Sequence, residues 1–451
     1  MACLGVAAAC KTATPDEVFG LSSAVPGSGG SSSTGGASSV IGGKTGAGGS
    51  GSSEAGKGGV TEGGAAGDGV GAGGSSIVEP PPGEDCGTAP VSSKAFTRSA
   101  LREAAADCAI WQYCHVENAV TALRDAVSAL RDDPSDARHE AAQEAWRTTM
   151  QRWSVAEMFQ FGPAGSKVES AGRDPIHGQG FRDFVYSWPV VGRCRVEEQV
   201  VLGGYEQSWS QVQISARGLF GLEYLLFYPG VDHACSANSA TGKAWAGLDA
   251  DSLSSAKLDY AAALSTDVLE QVQGLREAWR PDGANFRQTL IDATGYESEQ
   301  QALNVIAWSL LYVEKEVKDW KIGIPAGVTL THPVSQAEGT FSLSGIESIR
   351  ENLRGFRGLF QGCGEHGEGL GFDDWMNEVG QDQLSTDMLA ALDGAQAAVD
   401  AFPPLHEATK PELEALYQKL RVLTLLLKAD FFGSGSTLNL KLPAGVASDT
   451  D

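Results

Sequence analysis

GLFGLEYLLF, residues 218–227, holds one strongly acidic side chain, Glu223, in an otherwise apolar run. Leu219, Phe220, Leu226 and Phe227 stand three and four positions from it, the spacing at which side chains meet along a helix. A carboxylate buried among them is costly unless it is paired or protonated. Two partners are open from the sequence: an arginine such as Arg217 or Arg182, which makes Glu223 structural, or a ligand in a cleft. Gly218 sits where the absence of a side chain lets another helix approach closely.

Outward from this run the same periodicity recurs. Apolar spacing of three and four predicts helices over 97–130, 136–159, 197–228 (broken near 202–204), 251–280, 296–320, 343–361, 380–402 and 407–430. Prolines and acidic turns punctuate them, as in DDPSD at 131–135 and PP at 403–404. Strand-like alternation is confined to STLNLKLPAG, 436–445. The expected fold is all-α, two packed four-helix-type bundles over 93–451, divided at about 93–248 and 249–451.

The N-terminal portion has another character. Residues 27–74 contain 21 glycines among 48 positions, a composition with no apolar face to bury, and 11–92 as a whole is expected to be a disordered tether. Its glycines are not phosphate loops, since no strand precedes them and no helix follows. Before it, VAAAC at 6–10 resembles the end of a bacterial lipoprotein signal, although the basic and long apolar parts of such a signal are missing from residues 1–10. The expectation is an acylated Cys10 and attachment to the membrane of a bacterial cell envelope, facing the periplasm or the exterior. Beyond Cys3 and Cys10, the other six cysteines allow three bridges in 15 connectivities; Cys108 and Cys114 point to different helical faces and should find separate partners.

A net charge of −24 with no basic cluster argues against nucleic acid. The seven histidines are scattered and no H-E-x-x-H occurs. Cys363 and His366 stand close in CGEHGEG, a small loop better read as a disulfide cysteine beside a loop histidine than as a metal site.

Several landmarks follow one another in a recognisable order: AWRTTMQRWSVAE with Trp146, Trp153 and Glu157, then FGP, YSWP at 186–189, GLFGLEYLLF, EGTFS at 338–342, GLGFDDW at 369–375 and LKADFFGSGSTLNLKLPAG. This succession resembles the imelysin family, also called imelysin-like or M75-type peptidases. The resemblance implies an extracytoplasmic helical protein of two related bundles, with iron uptake among the roles of some relatives. The family's Gly-x-His-x-x-Glu falls on Gly218, Phe220 and Glu223, so a phenyl ring stands where a metal-binding imidazole is expected. Its Glu-Ser-x-x-Ser keeps Glu338 and Ser342 but has Gly339, and Met150 and Gln151 replace a basic–acidic pair. The resemblance thus marks Glu223, Glu157, Glu338 and Ser342 as lining a ligand cleft, suited to a divalent or ferric cation or a metal chelate. Three converging carboxylates would have to be protonated, paired or cation-bound; separate capping or surface roles are the structural alternative, and Ser342 reads as a helix cap rather than a nucleophile. A non-catalytic envelope lipoprotein that binds a metal, a chelate or an uptake component is favoured; an extracytoplasmic peptidase is the alternative.

The anchor is open to a direct check. Intact mass of the protein from its native envelope is expected to show Cys10 as an acylated N-terminus. A chain that keeps Met1 and fractionates with the cytoplasm would remove both anchor and location.

Overall fold

The computed structural model describes residues 85–166, 176–328, 337–364, 366–433 and 435–443. The expected tether, the lipoprotein-like start and Cys10 lie largely or wholly outside them. Among the described residues there is no strand, and none of the helices is long and apolar enough to cross a membrane.

Helix α1 runs Arg98–Asp132 and begins where the Thr97 side chain accepts from the Ala100 amide, satisfying one of the free donors of the first turn. α2 is Asp136–Ala156, and the short α3 is Phe181–Val185. α4 spans Arg193–Leu202, α5 Gly218–Phe227 and α6 Ala250–Trp279. α7, Glu299–Trp308, continues through a short 3-10 turn into a π-helix, Val313–Ile322. α8 is Gly345–Phe360, α9 Asp382–Asp400 and α10 Lys410–Leu426, the last opened by a Thr409–Glu412 capping box.

α1, α2, α5 and α6 pack on one another, and α8, α9, α10 and the π-helix form a second set. α6 follows the division expected at 248–249, yet it packs along α1, where Arg276 pairs with Glu117 and Arg131 with Asp259. α2 against α8 joins the two sets. Their approach depends on Gly355: a Cβ there would come within 2.5 Å of the Val155 carbonyl oxygen. The core is continuous, with Trp146, Trp153, Trp188, Trp279 and Trp375 all fully buried.

Two stretches differ from the periodic reading. In the segment expected as helical over 197–228, the break expected near 202–204 falls at Gly203, φ +63°, but the part after it runs through short turns and becomes a continuous helix only at Gly218. STLNLKLPAG forms no strand in its described part, to residue 443; Gln300 and Trp308 side chains instead donate to the carbonyls of Leu438 and Lys441.

All six cysteines of the folded part are bridged: Cys86–Cys114, Cys108–Cys363 and Cys194–Cys235. Cys108 and Cys114 do go to separate partners. Cys108–Cys363 closes 255 residues and ties α1 to the loop after α8, whereas Cys86–Cys114 closes 28. Loop-closure entropy grows with the logarithm of that length. Replacing Cys108 and Cys363 together by Ser is expected to lower urea-unfolding stability by about 2–5 kcal/mol, and by more than the same change at Cys86 and Cys114. Equal losses would mean that local geometry, not chain length, sets the contribution of each bridge.

Candidate functional site

Glu223 is buried midway along α5, and its approach to the rest of the chain is fixed by Gly218. Gly218 has φ +70°, and a Cβ there would meet the Val185 carbonyl oxygen at 2.6 Å, so the helix starts directly against the backbone at the end of α3. This is the close approach that the sequence suggested.

The partner of Glu223 is not an arginine. Its Oε1 accepts from the Phe341 amide at 3.1 Å, the Ser342 amide at 2.9 Å and the Ser342 hydroxyl at 2.8 Å. Arg217 pairs with Asp267 and Arg182 with Glu157. Burial raises the pKa of Glu223, and the Ser342 and Phe341 donors oppose that rise. Ser342 stands just before α8, but its hydroxyl is committed to Glu223 and to Ser344 Oγ at 2.8 Å. Among the described residues no histidine is hydrogen-bonded to it; its acceptor is Glu223. The Phe220 ring is buried and packs toward Phe341, with ring centres 6.3 Å apart.

Glu157 and Glu338 meet at a different point, the ammonium of Lys321. Lys321 Nζ lies 3.4 Å from Glu157 Oε2 and 2.8 Å from Glu338 Oε1, and it donates to Asn352 Oδ1 at 2.8 Å. Arg182 Nη2 reaches Glu157 Oε1 at 3.1 Å and the Trp188 carbonyl at 2.7 Å. Tyr186 donates to Glu338 Oε1 at 3.1 Å. Every one of these side chains is buried.

The local charges divide sharply. Burial raises Glu157, but Lys321 and Arg182 outweigh it and hold the carboxyl below its usual range. Burial pushes Glu338 up to about 7, with Lys321 opposing and Glu157 adding to the rise. Burial likewise pushes Glu316, on the π-helix, up to about 8, against the pull of Arg182. Burial, with the nearby charges of Glu338 and Glu223, holds Tyr186 far from ionisation.

Sequence reasoning therefore marked Glu157, Glu223, Glu338 and Ser342, and the structure brings Glu157 to Glu338 and Glu223 to Ser342. It missed Lys321, Glu316, Tyr186 and the placing of Arg182. YSWP at 186–189 was a usable signal for Tyr186; nothing in DWKIG at 319–323 sets Lys321 apart.

These groups do not make a ligand set for a bare metal ion. Position 220 offers carbon, Glu223 Oε1 already accepts three donors, and Lys321 occupies the space between Glu157 and Glu338. Among the described residues, three or more ligand atoms of His, Cys, Asp or Glu lie within 4.8 Å of one another only at Cys194, Glu197 and Cys235. Two surface depressions, one beside Pro411 and Tyr417 and one beside Arg131 and Asp259, are lined by none of the predicted residues.

The family model for imelysin (Peptidase_M75) matches residues 109–427. The chain belongs to the imelysin family. "Iron-regulated protein A" of Synechococcus elongatus is 27% identical over 238 residues, 51% of this chain. That match spans 55% of the relative's length. An imelysin-like protein from Psychrobacter arcticum aligns with a TM-score of 0.57 at 18% identity, over 78% of this chain and 99% of that one. A putative iron-regulated protein A precursor from Parabacteroides distasonis aligns with 0.54 at 18% identity, over 76% and 96%. These two structures share the imelysin fold.

Titration separates the carboxyls. Glu338 and Glu316 ionise in the folded protein at about 7 and about 8, above the ordinary 4.5, so the folded state retains protons that the unfolded chain releases. Stability should fall as pH rises through that window. Glu157 acts oppositely: its depressed pKa gives stability above 4.5 that is lost on acidification. Melts of Glu338→Gln and Glu316→Gln across the neutral range are expected to flatten the decline. Unchanged slopes would show that these carboxyls are ionised in the folded protein.

Proposed function

We propose that this imelysin-family protein is a non-catalytic component of a bacterial cell envelope, anchored through Cys10, that captures iron as a chelate at the polar junction around Lys321. The observation that supports this reading is the pair of buried cations among carboxyls. A bare ion would have to displace Lys321 from Glu157 and Glu338. An anionic, oxygen-rich chelate brings its own metal ligands and meets positive donors instead.

The junction also has unused bonding capacity. Arg182 Nε, Glu338 Oε2 and Glu316 Oε2 are buried without a hydrogen-bond partner. Such groups are costly to leave unmade and suit a bound polar molecule. Residues 337–344 lie over Glu223 and must move for a ligand to enter, since Glu223, Glu338 and Ser342 are all buried. The name of the Synechococcus elongatus relative supports iron as the metal.

The test uses the full chain with its three disulfides intact. Calorimetric titration with ferric citrate should show saturable binding, weakened at least tenfold in Lys321→Met and unaffected by Arg354→Gln, an exposed control. Zinc or ferrous ion alone should bind the junction far more weakly. Tight binding of bare ions lost in Glu223→Gln, or peptide hydrolysis lost in Ser342→Ala, would overturn the chelate reading, the second in favour of a peptidase.

A further inference from the structure

A second chemistry lies away from the junction, at the corner where α4 meets the segment after α5. Cys194 and Glu197 stand three residues apart on α4, one helical turn, and so share a face. The chain returns after α5 to place Cys235 against them, with Cα atoms of Cys194 and Cys235 4.8 Å apart. Both sulfurs and a carboxylate oxygen of Glu197 lie within 4.8 Å of one another. Glu197 is fully buried and held in place. Its Oε1 accepts from Arg193 Nε, the Tyr224 hydroxyl and the Ala234 amide, whereas Oε2 accepts only from the Ala234 amide, at 2.8 Å. Oε2 therefore keeps bonding capacity. His233, next to Ala234 and two residues from Cys235, has a buried Nδ1 with no hydrogen-bond partner.

With the bridge closed, the sulfurs are poor ligands and the corner is a structural staple. Two thiolates, a carboxylate oxygen and an imidazole nitrogen are, by contrast, the donor types of a tetrahedral zinc site. We propose that Cys194–Cys235 is a redox gate over a site for a thiophilic divalent cation, formed by Cys194, Cys235 and Glu197, and that His233, whose ring nitrogens lie outside this cluster with the bridge closed, is drawn in as the fourth donor when the cation binds. A dithiol reductant opens it by exchange. One reductant thiolate attacks a sulfur and breaks the bridge, its second thiol resolves the mixed disulfide, and the reductant leaves as its own disulfide. Two electrons and two protons pass to Cys194 and Cys235. Binding the cation then displaces the two thiol protons. Cys194 is partly exposed, which gives the reductant access, whereas Cys108 and Cys363 are both buried. The other two bridges have no comparable third ligand among the described residues.

The experiment titrates zinc into the full chain, oxidised and after treatment with a trialkylphosphine, which takes up the oxygen of water and leaves two thiols per bridge. The reduced protein is expected to bind one more equivalent of zinc than the Cys194→Ser/Cys235→Ser variant treated identically. Cobalt in place of zinc should give a thiolate charge-transfer band that this variant lacks. Glu197→Gln should weaken the site at least tenfold while keeping both thiols, and His233→Ala gives a milder probe of the same site should Glu197→Gln fail to fold. Equal zinc binding by reduced wild type and the double-serine variant would overturn the proposal, as would equal binding by oxidised and reduced protein. Neither result bears on chelate capture at Lys321, which is measured with the bridges intact.

Discussion

The ammonium of Lys321 is the point on which the arrangement of the helices depends. It is fully buried, and its partners come from three other segments: Glu157 at the end of α2, Glu338 before α8 and Asn352 within α8. Asn352 in turn donates to the Ser154 carbonyl at 2.7 Å, closing the same α2–α8 contact a second way. Removing an ion from water costs several kcal/mol, and attraction offsets this only where geometry and hydrogen bonds are nearly complete. Apolar burial supplies most of the favourable free energy, but it is non-directional and leaves helices free to slide. The charges do not allow sliding. A shift of one turn along α8 would part Asn352 from Lys321 and leave α2 facing a buried, incompletely paired cation.

The π-helix explains how one segment serves this centre twice. Its hydrogen bonds run from i to i+5, so residues five apart are brought toward one face. Glu316 and Lys321 have that separation, and Glu316 feels Arg182 while Lys321 binds Glu157, the partner of Arg182. The same wide helix carries Lys318 to Tyr417 on α10, with Nζ to the phenol oxygen at 2.9 Å. An α-helical register reads these charges as a solvated face. Here nine of its ten residues are buried.

This is also where the sequence stops being legible. Apolar spacing located α1, α2, α6, α8, α9 and α10 to within a few residues, because those helices bury one stripe against neighbours of the same kind. It placed the break near Gly203 but overextended the helix before Gly218, where short turns and a left-handed glycine interrupt the chain without disturbing hydrophobic composition. It could not see the π register, which depends on what surrounds the segment more than on its own residues. Within the site, Glu223 was visible as an acid in an apolar run, and Glu157, Glu338 and Ser342 through the resemblance. Lys321 was not visible, since KDWKIG reads like any amphipathic helix end. Pairings between residues 25, 164 or 195 apart in the chain are set by packing and leave no local trace.

Glu223 shows how a retained motif residue can have an altered setting. Three donors from Phe341 and Ser342 neutralise much of the cost of burying its oxygen, and none of them carries a charge. The carboxylate therefore has no cation whose removal would strand it, unlike Glu157. What it holds is backbone: the 337–344 segment, in which Gly339 and Leu343 both adopt positive φ, +66° and +62°. Leucine rarely adopts that conformation, and Leu343 is 48% exposed, so side-chain burial does not explain it. The two donors immediately before Leu343 do. They turn the chain inward to Glu223, and Phe341 meets Tyr224 and Tyr228 edge-on at 5.3 and 5.6 Å between ring centres, so the strain at Leu343 is the cost of closing the segment over the acid. With Phe220 beside that closure in place of an imidazole, the constraint on position 223 becomes the seating of a loop, and the buried charges of the region gather around Lys321 instead.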